Sequence, residues 1–180
     1  MEPVEKRISR FRNGPPVEII DTLLNSIDNY FNNEIRLTTE NNNYQTSLLF
    51  LGIHAVALTI AKGLFNKTGP EGYKTFLKKF VDGDTADTKF SQIAKKIHDW
   101  RNVLAHQWLG IDGYSIGYDY EMEPGWKLRN GITFINPRIY KNCYLSAFNG
   151  SGKIWDFQQI LSAEELEAAK KRLISEFLNQ

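Results

Sequence analysis

The stretch SLLFLGIHAVALTIA, residues 47–61, is the most apolar part of the chain and decides how the rest must fold around it. Its apolar residues run nearly all round a helical wheel, a pattern typical of a helix buried on every side. The run is shorter than the roughly 20 residues that span a bilayer. We therefore predict a core helix over residues 44–65 and no membrane span. His54 at its centre is better explained as a hydrogen-bonded core histidine than as a ligand.

Amphipathic helices are predicted on both sides of this core helix. Apolar residues at spacings of three and four predict a helix over residues 17–35, and a shorter helix is indicated over residues 73–83. A fourth helix, with polar N-caps at its start, is predicted over residues 84–109 and ends at Gly110. The mixed-charge segment 1–13 is expected to be a loosely held basic arm.

Beyond Gly110 the apolar pattern changes from helical to alternating. Apolar and polar residues alternate over residues 114–122, which predicts a half-buried strand. Asn130 and Gly131 are the residue pair typical of a tight hairpin, and residues 138–148 are interpreted as a further extended stretch. The sequence therefore predicts a small antiparallel β element.

The end of the chain returns to a helical pattern. Ser162 and Glu165 have the spacing of a capping box, which predicts the start of a last helix. A chain of 180 residues is long enough for one hydrophobic core. We therefore expect one mainly α domain, an up-and-down helical bundle over residues 14–110. A β-rich insertion over 111–157 separates this core from the C-terminal helix, residues 158–180.

Composition excludes several classes of protein. Lys and Arg number 22 against 21 Asp and Glu, so the overall charge provides no positive field for nucleic acid. Cys143 is alone, and one cysteine fits a reducing compartment, so we expect a cytoplasmic protein. The N-terminus has no apolar segment of a secretory signal. Neither a metal-ligand cluster nor a phosphate-binding glycine loop is present, so no metal and no cofactor are expected.

The segment HDWRNVLAHQWLG, residues 98–110, carries most of the chemistry. On a regular helix, His98, Asn102 and His106 form one polar row opposite a core stripe that includes Trp100. Arg101 falls on the border of this row, about 140° around the axis from His106. Arg101 and His106 would therefore meet only through a bend, a long reach by the arginine, or a second copy of the chain.

These residue types suit RNA cleavage without a metal. Such cleavage needs proton transfer at the ribose 2′-hydroxyl and at the leaving oxygen, and a fixed cation beside the phosphate. His106 can transfer protons near neutral pH, and the guanidinium of Arg101 matches phosphate oxygens. Asn102 can orient a neighbouring side chain or the substrate through its amide. A structural alternative also fits, because a histidine in the last helical turn complements the partial charge of the helix end. Trp100 and Trp108 fit core positions better than stacking platforms.

The hexapeptide RNVLAH, residues 101–106, resembles the signature of the HEPN superfamily (higher eukaryotes and prokaryotes nucleotide-binding domain). Arg101, Asn102 and His106 match its arginine, polar and histidine positions. The resemblance implies an up-and-down helical bundle, usually homodimeric, and often a metal-independent endoribonuclease of toxin–antitoxin, antiphage or RNA-processing systems. It also implies that two copies of the motif meet at the dimer cleft, which would make Arg101, Asn102 and His106 catalytic.

Two departures from the family pattern affect this interpretation. Trp108 stands where one toxin branch has a modified tyrosine, and it has no hydroxyl group to modify. The β-rich segment is not part of the minimal family pattern. A non-catalytic HEPN-like module that binds RNA, a nucleotide or a protein remains the alternative, and so does an interaction protein encoded with a toxin or defence partner. For the nuclease itself, a cognate antitoxin or defence partner is expected.

The local charge around the motif adds two candidate binding residues. Between Lys62 and Arg101, nine residues are Lys or Arg and five are Asp or Glu. His98, on the polar row, and Lys95, in this basic segment, are therefore candidate binding residues for RNA. The alternative for His98 is an ordinary solvated surface residue.

Overall fold

A computed structural model of the chain describes residues 3–38, 45–107 and 116–177, with the side chains at 4, 7, 105–107 and 177 left out. The described chain is mainly helical. Its α-helices are α1 (Val4–Asn13), α2 (Pro16–Ser26), α3 (Asn32–Leu37), α4 (Thr46–Phe65), α5 (Gly69–Phe76), α6 (Ala94–Gln107), α7 (Pro137–Ser146), α8 (Phe157–Ile160) and α9 (Ala163–Phe177). Its strands are β1 (Ile116–Tyr118), β2 (Trp126–Arg129) and β3 (Ile132–Ile135).

Helix α4 lies at the centre of the bundle, as predicted from its apolar run. It contacts α3, α5, α6, α7 and α9, and its side chains at Leu49, Phe50 and Ile53 are fully buried. The helix ends where Asn66 adopts a left-handed conformation, with φ of 54°. By length and composition α4 could cross a membrane, yet 56% of its most apolar window is buried within the bundle. That burial is typical of the core helix of a folded domain.

The helix predicted over residues 17–35 is confirmed with one irregularity. Helices α2 and α3 are joined by a π-helical turn, Ile27–Phe31, so the chain is helical from Pro16 to Leu37. Its apolar stripe is buried at Ile20 and Leu24. Helix α9 contacts both α2 and α4.

The expected loose arm at the N-terminus is wrong, because residues 4–13 form helix α1. Phe11 is only 4% exposed, and burying an aromatic ring favours an ordered segment. Arg10 also pairs with Glu18 at 2.9 Å, which links α1 to α2. The sequence holds the signal, because Val4, Ile8 and Phe11 stand at helical spacing, but the many charges of the segment favoured an exposed arm.

The predicted hairpin is confirmed, whereas the predicted all-antiparallel sheet is wrong. Asn130 and Gly131 both have positive φ, 50° and 80°, as a type I′ turn between β2 and β3 requires. Strand β1, however, pairs in parallel with β3, so that β3 is central and the sheet is mixed. The chain crosses from one side of β3 to the other between β1 and β2. The predicted strand also began at Tyr114, which lies outside the described residues.

The extended stretch predicted over residues 138–148 is wrong, because most of it forms helix α7. The Asn136 side chain caps α7 by accepting from the backbone N–H groups of Arg138 and Ile139, and Pro137 occupies the first turn. Tyr140 and Tyr144, one helical turn apart, are both fully buried against the bundle. The segment predicted as a β-rich insertion therefore supplies a helix to the common core.

Two further predictions concern helix starts. Helix α6 begins at Ala94, after two 3-10 turns, and not near residue 84; its predicted end at Leu109 and Gly110 lies outside the described residues. The capping box before α9 is confirmed. The Ser162 N–H donates to Glu165 Oε2 at 2.8 Å, and the Glu165 N–H donates to Ser162 Oγ at 3.2 Å.

Two neighbouring leucines of α4 test its central position. Leu49 is fully buried, whereas Leu48 is 52% exposed. We expect Leu49→Ala to lower the free energy of unfolding by about 2–5 kcal/mol, because it opens a cavity in the core. The matched variant Leu48→Ala should change it by no more than about 0.5 kcal/mol. Urea denaturation measures both, and equal effects would contradict the central placement of α4.

Candidate functional site

Helix α6 presents its apolar face to the core and carries the motif residues on its other faces. Ile97 is fully buried, and Trp100 and Val103 are each 9% exposed. The Trp100 ring packs edge-on against Phe50 of α4 at 5.3 Å and against Tyr118 of β1 at 5.2 Å. The predicted core role of Trp100 is confirmed, and Trp108 lies outside the described residues.

Arg101 is held by hydrogen bonds on two of its nitrogens. Its Nε donates to Nδ1 of His54 at 2.9 Å, and its Nη1 donates to Oδ1 of Asn102 at 2.7 Å. Both Arg101 and Asn102 are half-buried. Two of the three residues that match the sequence motif therefore lie in direct contact, and the arginine is anchored to the core helix.

His54 joins this contact to a second histidine. It is fully buried, and its Nε2 lies 2.8 Å from Nδ1 of His98, while its ring lies against Tyr73 at 4.5 Å. The prediction of a hydrogen-bonded core histidine is confirmed. Its partners on α6 were missed. The available signal was that His54 is the single polar side chain of residues 48–58.

Both histidines of this pair are held in the neutral form. Burial, the positive charge of Arg101 and the neighbouring His98 together lower the pKa of His54 to about 3. The pKa of His98 is also lowered, first by burial and then by Arg101, against a smaller opposing effect of Asp99. Arg101 is therefore the fixed positive charge of this group at neutral pH.

A buried tyrosine pair lies on the core side of His54. The hydroxyl groups of Tyr73 on α5 and Tyr140 on α7 are hydrogen-bonded to each other, and both side chains are fully buried. Burial is the main cause that raises the pKa of each phenol. Because His54 packs on Tyr73, the tyrosine pair fixes the depth at which the histidine lies in the core.

The remaining candidate residues have different surroundings. Lys95, a predicted binding residue, is exposed and pairs with Asp99 at 2.5 Å. The alternative that His98 is an ordinary solvated residue is wrong, because His98 is half-buried and bonded to His54.

His106 lies in the last turn of α6, and its side chain lies outside the part of the chain that the structure describes. On this regular helix its backbone is about 7.5 Å along the axis and about 140° around it from Arg101.

Comparisons with known proteins found no match, so a functional proposal rests on the geometry of this site. No protein-family model matches the chain, and neither the curated proteins nor the solved structures gave a match. Within the described residues, no group of three or more His, Cys, Asp or Glu side chains could hold a metal ion. Cys143 is half-buried, and burial raises the pKa of its thiol, which makes it a poor nucleophile.

The low pKa of His54 predicts a loss of stability in acid. In the unfolded chain the histidine takes up a proton near pH 6.5, whereas in the folded chain it does so only near pH 3. Its contribution to stability is therefore complete above pH 6.5 and is lost as the pH falls toward 3. Between pH 7 and 4.5, the free energy of unfolding of wild type should fall by about 2–3 kcal/mol more than that of His54→Gln.

Urea denaturation at several pH values measures this difference. Tyr73→Phe is the control, because it removes a buried hydrogen bond next to His54 without removing a group that titrates in this range. It should lower stability by a similar amount at every pH. Parallel pH profiles of wild type and His54→Gln would show that His54 is not held neutral.

Proposed function

We propose that this protein is a metal-independent endoribonuclease of the HEPN type. Arg101 binds the scissile phosphate, His106 transfers protons and Asn102 orients the substrate. The observation that carries the proposal is the anchoring of Arg101 at Nε and Nη1, while Nη2 has no hydrogen-bond acceptor among the described residues. A guanidinium held in this way is a preorganised donor for an anion, because little side-chain freedom is lost on binding.

Asn102 adds a second donor beside the arginine. Its Oδ1 accepts from Arg101, so its Nδ2 group points away from that bond, and no partner for it lies among the described residues. The amide is then free to donate to a ribose hydroxyl or a phosphate oxygen. Arg101 and Asn102 together form a small donor surface on the half-buried face of α6.

The proposal includes a two-fold homodimer. Arg101 and His106 of one copy diverge around the helix by about 140°, so one chain does not readily bring both to one phosphate. Two facing copies of α6 would supply the histidine of one protomer to the arginine of the other. We further propose a cytoplasmic protein that acts on RNA in a toxin–antitoxin or antiphage setting, with a cognate antitoxin or defence partner.

RNA cleavage in the presence of EDTA tests this function. Wild type should cleave a mixed RNA pool and leave 2′,3′-cyclic phosphate ends, because the 2′-hydroxyl is the attacking group. His106→Ala and Arg101→Ala should each lower the cleavage rate at least about 100-fold. Lys171→Ala, which removes an exposed cation from α9, should cleave at the wild-type rate.

Two outcomes would contradict the nuclease. Equal activity of wild type and His106→Ala would show a contaminating or unrelated activity. Cleavage of an all-2′-deoxy strand at the rate of the RNA would exclude the 2′-hydroxyl mechanism. The oligomeric state, measured by light scattering, tests the homodimer separately.

A non-catalytic binding module is the second candidate, and the bond from Arg101 to the buried His54 favours it. An arginine in a structural network need not take part in chemistry, since removing it leaves a buried acceptor unpaired. In this case, wild type and His106→Ala should bind RNA equally well and cleave none, while Arg101→Ala should lose about 1–3 kcal/mol of stability. Filter binding and thermal unfolding distinguish this outcome from catalysis.

A further inference from the structure

The hydrogen bonds of His54 define where the protons of both histidines lie. Arg101 Nε can only donate, so Nδ1 of His54 must accept and carries no hydrogen. A neutral His54 then has its hydrogen on Nε2 and donates it to Nδ1 of His98. His98 in its neutral form must consequently carry its own hydrogen on Nε2, the nitrogen that faces away from His54.

This chain of donors also resists protonation of His98. A charged His98 would carry a hydrogen on Nδ1, which would face the Nε2 hydrogen of His54 across 2.8 Å. His54 cannot turn its acceptor toward His98 without leaving the Arg101 Nε–H unpaired. The proton on His98 Nε2 is thus fixed by the same arginine that the proposed function places at the phosphate.

We infer that His98 is a neutral hydrogen-bond donor to a phosphate oxygen of bound RNA, and that His54 is the positioning residue that fixes its tautomer. This inference rests on the proposed RNA-binding role of the same helix face. His98 is half-buried, and its Nε2 has no hydrogen-bond partner among the described residues. It lies one helical turn from Arg101, so the two donors can contact neighbouring parts of one backbone.

The groups around His98 agree with this role. On its own helix, Arg101 and the paired Lys95 and Asp99 act on its charge, and from the core α4 contributes His54. A neutral imidazole between cations adds a donor without adding repulsion toward Arg101. It also leaves proton transfer to His106, because an imidazole with its hydrogen on the outer nitrogen is not a base at that nitrogen.

Nitrogen-15 NMR of the imidazole rings tests the tautomers directly. The chain has three histidines, so single variants suffice to assign the signals. At pH 7 we expect both His54 and His98 to carry their hydrogen on Nε2. A hydrogen on Nδ1 of His98, or rapid averaging between its two nitrogens, would overturn the inference whatever the protein does to RNA.

Two substitutions of His54 test whether it fixes the tautomer of His98 or only fills space in the core. His54→Gln keeps an N–H near the Nε2 position, whereas His54→Asn keeps an acceptor near the Nδ1 position. We expect His98 to retain its tautomer in His54→Gln and to exchange its hydrogen between its two ring nitrogens in His54→Asn. Equal changes in both variants would mean that His54 only fills space. If either variant fails to fold, the wild-type NMR measurement still decides the tautomers.

An RNA probe that cannot be cleaved tests the donor role. Titration with a fully 2′-O-methylated oligoribonucleotide should shift the His98 Nε2–H signal and should do so without cleavage. His98→Ala should weaken binding of this probe about tenfold or more, and His98→Gln, which keeps an N–H near that position, should weaken it less.

The outcomes separate this inference from the nuclease proposal. A His98 shift without cleavage of ordinary RNA supports the donor and removes the nuclease. Cleavage of RNA by a protein whose His98 signal and probe affinity do not respond supports the nuclease and removes the donor.

Discussion

The hydrogen-bonded His54 is the constraint on which the arrangement of this site depends. A polar side chain in the middle of the most apolar helix costs free energy unless both ring nitrogens find partners. Arg101 and His98 supply them from one face of α6. Apolar packing alone would tolerate small shifts of α6 along α4, but two directional bonds to a single ring do not. The two hydrogen bonds of His54 therefore fix both the geometry of the site and the position of α6 along α4.

The segment between α6 and α9 is part of this support. Tyr140 of α7 stacks on Phe50 at 4.9 Å and bonds to Tyr73, on which His54 packs. Strand β1 adds Tyr118, whose ring lies against Trp100 of α6. Contacts of this kind join α4, α5, α6, α7 and the sheet into one aromatic core. The segment predicted as an insertion thus helps to hold the motif helix in place.

The sequence predicts features that depend on local patterns and misses those that depend on distant contacts. The apolar run of α4, the Asn130–Gly131 turn and the Ser162–Glu165 capping box are local, and each is confirmed. The parallel pairing of β1 and the bond between His54 and His98 join segments far apart in the chain. Helix α7 was missed although Asn136 and Pro137 form a local start signal, because alternation in the preceding segment suggested strands.

The charge arrangement favours an anion at this face under either proposed function. Arg101 lowers the pKa of both histidines, and burial does so more strongly. Neutral histidines in turn accept from the arginine or donate outward, and they do not repel it. The result is a fixed guanidinium beside oriented N–H groups, which suits an anion such as a phosphate group. Both proposed functions use this surface, and they differ in whether His106 transfers protons.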